Sequence, residues 1–360
     1  MERISDAIGM LDLMIRPGFF VKEDKIVKVN QSAAALMIDA DMQLSPLLNT
    51  GKEEYAAFTG GCLYLTLTVC ESPWGASVTR VGDMDLFILE QETDQTELRA
   101  MALAAQELRE PLSNVMTTAD RLFPLVAKEG DPTAMDHAAR LNRGLFQMLR
   151  VISNMSDANR YATSQLANME MIQISKLLTE IFQKAEALMD HTGIRLTYTD
   201  HTEPIYSLAD KEKLERAVLN ILSNAIKFTP AGGSIQAELK RRGNMFTLSI
   251  QDSGSGIPDA VKGTVHSRYL RGPVLEEGRF GIGLGMVLIR SAATLHGGTV
   301  LIDHPEETGT RITMTLAIRQ SGGSLRSPAH RFDYAGERDH GLLELAGSLP
   351  HQLYDTKKIN

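Results

Sequence analysis

Three polar residues in the middle of the chain have the types and spacing expected of a site for a metal-bound phosphate. Asn220 and Asn224 are four residues apart and Lys227 follows three residues later, so a helix would place all three on one face. A neutral amide oxygen suits Mg²⁺, a hard cation that also binds phosphate oxygens and water. A lysine ammonium can reach a phosphate as a point charge. This helix face therefore indicates a site for a magnesium-bound phosphate.

Two glycine-rich segments further along the chain have the composition of nucleotide-binding loops. In residues 252–258, Gly254 and Gly256 let a ligand approach the backbone, because glycine has no Cβ in the way. Residues 281–286 alternate glycine with apolar residues at the start of a predicted helix, whose free N–H groups and positive dipole end favour phosphate. Either segment alone is a weak signal, since ordinary turns are also rich in glycine. Their order and spacing after the helix face make the combination specific.

The segment 106–112 is a third candidate for chemistry. It reads Gln106-Glu107-Leu108-Arg109-Glu110-Pro111-Leu112 and resembles the phosphoacceptor box of sensor histidine kinases, whose usual form is His-Glu-Leu-Arg-Thr-Pro-Leu. Residues 220–310 resemble the ATP-binding boxes of the same family, a Bergerat-type site shared with gyrase, Hsp90-like proteins and anti-sigma-factor kinases. On these motifs the chain is identified as a member of the sensor histidine kinase family.

The resemblance assigns a role to each residue of the expected ATP site. It implies that Asn224 binds Mg²⁺, that Asp252 accepts a hydrogen bond from the adenine amino group, and that Gly309 and Thr310 help to hold Asp252. Residues 259–280 would form the lid over the nucleotide. In chain order, the predicted ATP-binding residues are Asn220, Asn224, Lys227, Asp252, Gly254, Gly256, Gly281, Gly283, Gly285 and Thr310. The implied cofactors are ATP and Mg²⁺.

The residue four places before the metal-binding asparagine separates the branches of this group of proteins. Gyrase and Hsp90, which hydrolyse ATP, carry a general-base glutamate there, whereas this chain has Asn220. An asparagine has no carboxylate that could take a proton from water. The kinase branch is therefore favoured, in which the site positions ATP for attack by another group. An Hsp90-like fold that has lost nucleotide binding is the structural alternative.

The acceptor box lacks the residues that do chemistry in the family. Histidine kinases use the acceptor imidazole as the nucleophile, but the amide of Gln106 has no basic nitrogen and a poorly nucleophilic oxygen. Glu107 keeps the acidic neighbour that, by resemblance, orients the nucleophile and acts as its base. Glu110 replaces the Thr or Asn that positions water for dephosphorylating a response regulator, and its carboxylate would repel phosphoryl oxygens. Autophosphorylation at the usual position is therefore predicted to be absent.

The motifs leave three functions open. The first is a degenerate family member that binds Mg-ATP and transduces an intracellular signal through its shape or by modifying a partner; a dimeric scaffold is its non-enzymatic form. The second is an active kinase that phosphorylates a histidine elsewhere in the chain or in a partner, with His137 as the nearest candidate. The third is a Ser/Thr kinase of the anti-sigma-factor type, although those enzymes usually lack a dimerisation hairpin.

The elements that must position these residues predict an α+β protein with four regions. Residues 1–92 alternate short strands with turns and resemble a PAS sensor domain. Residues 93–162 carry apolar residues at alternating spacings of three and four, a heptad seam on two helices that break at Gly130. Residues 163–320 alternate helices and strands, as in an α/β sandwich of the histidine-kinase/Hsp90-like ATPase type. Residues 321–360 form a tail that is either loose or carries a short docked helix.

The heptad seam predicts a partner chain. One helical hairpin cannot cover its own seam, so pairing with a second hairpin would complete a four-helix bundle. The partner would be an identical chain or another histidine kinase, and a response regulator is a further expected partner.

Composition argues against several classes of binding partner and location. The net charge of −8 argues against general binding to nucleic acid or to an anionic membrane. The two cysteines are too few for a disulfide framework and fit a reducing compartment. No apolar run approaches the roughly 20 residues that a membrane-spanning helix needs. A cytoplasmic protein is therefore expected.

Overall fold

The computed structural model describes residues 9–91, 96–162, 168–257, 284–305, 309–320, 335 and 338–355. These residues form a mixed α/β protein. The predicted lid at 259–280, Gly281 and Gly283 lie outside the described residues, so the expected phosphate-binding loop is described from Leu284 onward.

The N-terminal region is built on five antiparallel strands. The strands are β1 (Gly18–Lys22), β2 (Lys25–Val29), β3 (Cys62–Val69), β4 (Ser72–Val81) and β5 (Met84–Gln91), with helices α1 (Gln31–Ala34) and α2 (Lys52–Ala56) between β2 and β3. Their spatial order is β2-β1-β5-β4-β3. Phe19 stacks on Phe87 in the core of this region, with ring centroids 5.1 Å apart. Buried Asn30 caps α1 by accepting a hydrogen bond from the Ala33 N–H.

Two long helices, α3 (Thr96–Glu129) and α4 (Pro132–Ala162), form a hairpin. Gly130 between them has a φ of +73°, a conformation that favours glycine. Asp131 accepts a hydrogen bond from the Thr133 N–H at 3.0 Å, and Pro132 occupies the first helical position, where no N–H is needed. The predicted break between the two helices is confirmed. None of the described helices is both long and apolar enough to cross a lipid bilayer.

The predicted heptad seam divides into two sets in the single chain. One set is buried within the hairpin and contains Ala105, Leu112, Ala119, Ala138, Leu145 and Ile152. The other set alternates with it along both helices and contains Leu108, Val115, Leu122, Leu141 and Met148. Members of the second set are between 49% and 53% exposed. A single hairpin therefore buries only one half of its heptad positions and presents the other half to the outside.

The C-terminal region packs three helices against a sheet. The helices are α5 (Ile174–Met189), α6 (Lys211–Phe228) and α7 (Leu284–Leu295). The strands of the sheet are β7 (Arg195–Asp200), β9 (Ser234–Arg242), β10 (Met245–Asp252), β11 (Thr299–Asp303) and β12 (Arg311–Ala317), in the order β11-β12-β10-β9-β7, and β6 (Met169–Gln173) pairs separately with β8 (Tyr206–Asp210). Every second residue of β10 is buried, and these residues share one core with the three helices. The region is thus an α/β sandwich.

The sheets of the N-terminal and C-terminal regions are continuous. β3 pairs antiparallel with β11, with Tyr64 opposite Val300 and Cys62 opposite Ile302. The result is one sheet of ten strands in the order β2-β1-β5-β4-β3-β11-β12-β10-β9-β7. The two regions therefore share backbone hydrogen bonds, a connection that the sequence pattern does not predict.

Residues 338–355, called here the C-terminal segment, pack back onto the molecule. They contain helix α8 (His340–Glu344) and a short 3₁₀ helix (His351–Tyr354). The buried ring of Tyr354 meets Phe146 of α4 edge-on, with centroids 5.3 Å apart, and its hydroxyl donates to the Leu342 carbonyl at 2.7 Å. Leucines of this segment belong to the same core as α5 and α6. Of the two alternatives predicted for the tail, the docked helix is confirmed.

Candidate nucleotide-binding site

Asp252 lies at the end of β10, where its carboxylate is fixed by two backbone donors. Its Oδ1 accepts hydrogen bonds from the Gly254 N–H at 2.9 Å and the Thr310 N–H at 3.2 Å. The residue is 8% exposed, and this burial raises the pKa of its carboxyl, while the two N–H groups act in the opposite direction. The structure therefore brings together the predicted adenine-binding residue and the predicted Thr310 that should hold it.

Glycines around Asp252 allow backbone segments to approach closely. A Cβ on Gly254 would lie 2.4 Å from the Phe228 carbonyl oxygen at the end of α6. Gly309 has a φ of +95°, and a Cβ there would lie 1.8 Å from the Asp252 carbonyl oxygen. Gly256 also has a positive φ, +73°. The loop after β10 is thus held against both α6 and the start of β12 by contacts that only glycine permits.

The polar face of α6 runs from the interior of the protein to solvent. The helix begins after Asp210, whose side chain accepts a hydrogen bond from the Lys213 N–H. Asn220 is 1% exposed, Asn224 is half-buried and Lys227 is exposed. The amide of Asn224 makes no hydrogen bond to the residues that the structure describes, so its oxygen is available to a cation.

Asn220 is enclosed by three other parts of the chain. A Cβ on Gly285, in the first turn of α7, would lie 3.0 Å from its Oδ1. That Oδ1 accepts a hydrogen bond from Nη2 of Arg150 on α4 at 3.1 Å. Its Nδ2 donates to the Arg216 carbonyl at 2.8 Å and to Oε2 of Glu344 in α8 at 3.4 Å. Asn220 therefore lies between the start of α7 and the C-terminal segment.

A buried ionic cluster continues from this asparagine. The Arg216 side chain has 0% exposure and is ion-paired with Glu344 at 2.9 Å and with Asp157 of α4. Asn154 accepts a hydrogen bond from the same guanidinium at 2.6 Å, and Arg150 is ion-paired with Glu344 at 3.2 Å. Two cations and two anions balance each other, as a buried cluster requires. Sequence reasoning missed this cluster; its one local signal was Arg216, four residues before Asn220 on the same helix face.

The first turns of α7 also contact the helical hairpin. Leu284 and Val287 pack with Met101 of α3 and Met155 of α4. Gln106 and Glu107 follow Met101 by about one and a half helical turns and are both exposed. The structure therefore places the acceptor-like segment at the end of the hairpin that meets α7. His137 is exposed and lies about 27 Å from Met155 along α4, from the rise of 1.5 Å per residue.

Comparisons with known proteins agree with this geometry. Residues 209–320 match the family model described as "Histidine kinase-, DNA gyrase B-, and HSP90-like ATPase". Hybrid signal transduction histidine kinase D of Dictyostelium discoideum is 26% identical over 313 residues, which cover 80% of this chain and 19% of that protein. Adaptive-response sensory kinase SasA of Synechocystis sp. is 28% identical over 246 residues, which cover 65% of this chain and 64% of that kinase. Residues 209–320 belong to this ATPase family, and the chain is similar to sensor histidine kinases.

The match to the ATPase family spans every described candidate of the nucleotide site, from Asn220 to Thr310. A crystal structure of full-length ShkA in complex with AMPPNP has the same fold, with 19% sequence identity and a TM-score of 0.51 over 64% of this chain and 48% of ShkA. The chain described here spans 19% of the Dictyostelium relative and 17% of histidine kinase P4 from Formosa agariphila.

Proposed function

We propose that this chain binds Mg-ATP and transduces an intracellular signal without autophosphorylating at the family's usual position. The observation that carries the proposal is the fixed carboxylate of Asp252, held by Gly254 and Thr310, in a chain whose acceptor position is Gln106. A nucleotide site built in this way retains binding, whereas the amide at the acceptor position provides no nucleophile for the γ-phosphoryl group.

The adenine would bind at Asp252. Because both backbone donors use Oδ1, the carboxylate has a fixed orientation and Oδ2 can accept the adenine amino group. Low exposure strengthens such a hydrogen bond, since the local dielectric constant is lower than that of water. The absence of a Cβ on Gly254 and Gly256 would let the base approach the backbone.

Magnesium and the phosphates would bind between α6 and the start of α7. Asn224 offers an available amide oxygen, and the exposed Lys227 lies three residues further along the same helix. Gly285 is in the first turn of α7, where helix N–H groups favour phosphate oxygens. Gly281 and Gly283 complete this proposed phosphate loop. Mg²⁺ would shield the phosphate charges, while the protein supplies position and electrostatic complementarity.

The N-terminal region and the hairpin would carry the signal. The antiparallel order β2-β1-β5-β4-β3 supports a PAS-like sensor for the N-terminal region. The alternating exposed residues of α3 and α4 support pairing with a second copy or another histidine kinase to complete a four-helix bundle. A signal would then reach a partner, for example a response regulator, through the shape of the dimer.

The deciding experiment measures nucleotide binding and phosphotransfer on the same purified protein. Mg-ATP affinity is measured by calorimetry, and the protein is then incubated with γ-labelled ATP and tested for label that survives acid or alkali. The proposal expects Mg-ATP binding without label. Asn224→Ala is expected to reduce the affinity to the value found without Mg²⁺, and Asn244→Ala, in an exposed turn between β9 and β10, is the matched control.

Each other outcome has a different meaning. Acid-labile label would indicate an active histidine elsewhere, and His137→Gln would then test the candidate on α4. Acid-stable label would indicate a Ser/Thr kinase of the anti-sigma-factor type. Unchanged Mg-ATP affinity in Asn224→Ala would contradict the assignment of the metal ligand. If the protein does not bind Mg-ATP, the remaining alternative is a non-enzymatic dimeric scaffold.

A further inference from the structure

We propose that the C-terminal segment is an autoinhibitory latch on the ATP site, with Glu344 and Arg150 holding Asn220 in a closed position. This inference rests on the proposed binding of Mg-ATP and adds its regulation. The segment contacts both the hairpin and α6 beside Asn220, where a Cβ on Gly285 would lie 3.0 Å from the Asn220 Oδ1. The docking of the segment and the binding of a nucleotide therefore involve the same side chain.

The docking of the segment is specific as well as apolar. The Asn142 side chain of α4 donates a hydrogen bond to the Tyr354 carbonyl at 3.0 Å, and Gln147 donates to the Ala346 carbonyl at 2.9 Å. On the opposite side, the Ser348 hydroxyl donates to the Ser223 carbonyl of α6 at 2.9 Å. The segment therefore bonds to α4 and α6 at once and holds the hairpin against the ATPase sandwich.

The docked segment helps to hold the Asn220 amide in place, directly through Glu344 and indirectly through Arg150, which is ion-paired with Glu344. The Asn220 Oδ1 is occupied by Arg150 and its Nδ2 by the Arg216 carbonyl and Glu344. A nucleotide that requires this amide, or the space beside Gly285, must therefore displace these hydrogen bonds. Each bond that is lost from a buried polar group has a cost, which reduces the apparent affinity for the ligand.

The charges around Asn220 also disfavour nucleotide binding while the segment is docked. In the docked state Glu344 neutralises Arg150, which is otherwise a cation near the phosphate end of the site. Release of the segment would remove one carboxylate from this place, so that Arg150 would lose its ion pair with Glu344 while Arg216 would keep Asp157 as an anionic partner. Because phosphates are anionic, they should bind more tightly when the segment is released than when it is docked. By linkage, Mg-ATP should in turn weaken the docking of the segment.

A reversible crosslink tests the latch on the full-length chain. The hydroxyl oxygens of Ser223 and Ser348 are 3.1 Å apart, so Ser223→Cys with Ser348→Cys would form a disulfide after a small approach. Exposed Cys70 is replaced by serine to prevent crosslinks between molecules, and buried Cys62 is retained. Mg-ATP affinity is measured by calorimetry on the oxidised protein and on the same sample after reduction. Reduction controls for the substitutions themselves.

The latch predicts that the oxidised protein binds Mg-ATP about tenfold more weakly than the reduced protein, within the usual range of allosteric coupling. Equal affinity in the two redox states would overturn the latch and leave the proposed function intact. If neither state nor the wild type binds Mg-ATP, the proposed function fails and the latch fails with it.

A second pair of variants keeps the test independent of the disulfide. Glu344→Gln removes the charge that binds Arg150 and Arg216, and should raise Mg-ATP affinity several-fold while hydrogen exchange in the segment becomes faster. Glu186→Gln, at an exposed position on α5, removes the same charge away from the cluster and should change neither measurement. Tighter docking of the segment in saturating Mg-ATP, seen as slower exchange at Leu343 and Leu345, would overturn the latch.

Discussion

The guanidinium of Arg290 lies over the ring of Tyr64, with its central carbon 4.6 Å from the ring centroid. Arg290 belongs to α7 and Tyr64 to β3, so the contact joins this helix to the N-terminal sheet. The same guanidinium is ion-paired with Glu90 of β5 at 3.1 Å and is nearly fully buried. The N-terminal region therefore holds α7 through a desolvated cation as well as through the β3–β11 pairing.

The Arg290–Tyr64 contact should have a measurable coupling energy. In a double-mutant cycle with Arg290→Ala and Tyr64→Leu, we expect a coupling of about 1–2 kcal/mol in the free energy of unfolding, as for a buried cation–π pair. Urea denaturation of the four proteins measures it. Arg16→Ala is the matched control, because Arg16 pairs with the same Glu90 from a more exposed position. A coupling near zero would show that the contact between the guanidinium and the Tyr64 ring adds nothing to the Glu90 ion pair and the strand pairing.

Gly309 should be essential to the adenine site. In Gly309→Ala the new Cβ would have to move the Asp252 carbonyl, 1.8 Å away, and we expect a loss of about 1–3 kcal/mol in stability from strain at this positive φ. ATP affinity should fall by at least about tenfold, since Asp252 is displaced. Gly243→Ala is matched, because Gly243 has a φ of +59° but open space around its Cβ position. The Gly243→Ala variant should lose stability yet keep its affinity for ATP. If both variants lost ATP affinity equally, the assignment of Asp252 to the adenine site would be wrong.

The exposed half of the heptad seam should mediate self-association. Val115→Glu combined with Met148→Glu places two carboxylates on this face, and desolvation of each would cost several kcal/mol in a bundle. Sedimentation equilibrium is expected to show a dimer for the wild type and a monomer for this variant. Thr117→Glu, exposed on another face of α3, should leave the dimer intact. A wild-type monomer at high protein concentration would contradict the bundle.

Stability should depend on pH through His296. Burial lowers the pKa of its imidazole, although a hydrogen bond to the Ala292 carbonyl acts in the opposite direction. Its Nε2 accepts the Asp210 N–H at 3.0 Å, which requires the unprotonated nitrogen. The unfolded chain binds a proton near the ordinary pKa of 6.5 that the folded protein does not bind, so stability present above this pH is lost as the pH falls below it.

The check is a comparison of wild type and His296→Gln in urea at several pH values. His296→Gln should be less stable than the wild type at about pH 7.5, and the difference between their free energies of unfolding should decrease toward about pH 5.5. A difference that stays constant over this range would show that His296 does not contribute to the pH dependence.

Local patterns predicted the elements of this protein well. The polar face of α6 follows from three residues at helical spacing, and the turn at Gly130 follows from a glycine before Asp131 and Pro132. These features depend on residues that are close in the chain. The hydrogen bond from the Thr310 N–H to Asp252 spans 58 residues, and only the family resemblance suggested it.

The contacts that the sequence did not predict join distant segments. Glu344 reads as one charged residue in a leucine-rich tail, and nothing near it indicates that it will be buried between Arg150 and Arg216. The sequence does not predict the β3–β11 pairing either, because an edge strand and an internal strand have the same alternation of residues. Such features depend on the packing of whole regions against each other.

The continuous sheet limits how this protein can be recombined with its relatives. Removing the N-terminal region would leave the backbone groups of β11 unpaired along Val300, Leu301 and Ile302, and the removed piece would carry an equally bare β3. Unprotected edges of this kind bind other strands and promote aggregation. The N-terminal region and the ATPase domain of this chain therefore cannot be exchanged independently, and a chimera that replaces one must supply a strand edge that fits the other.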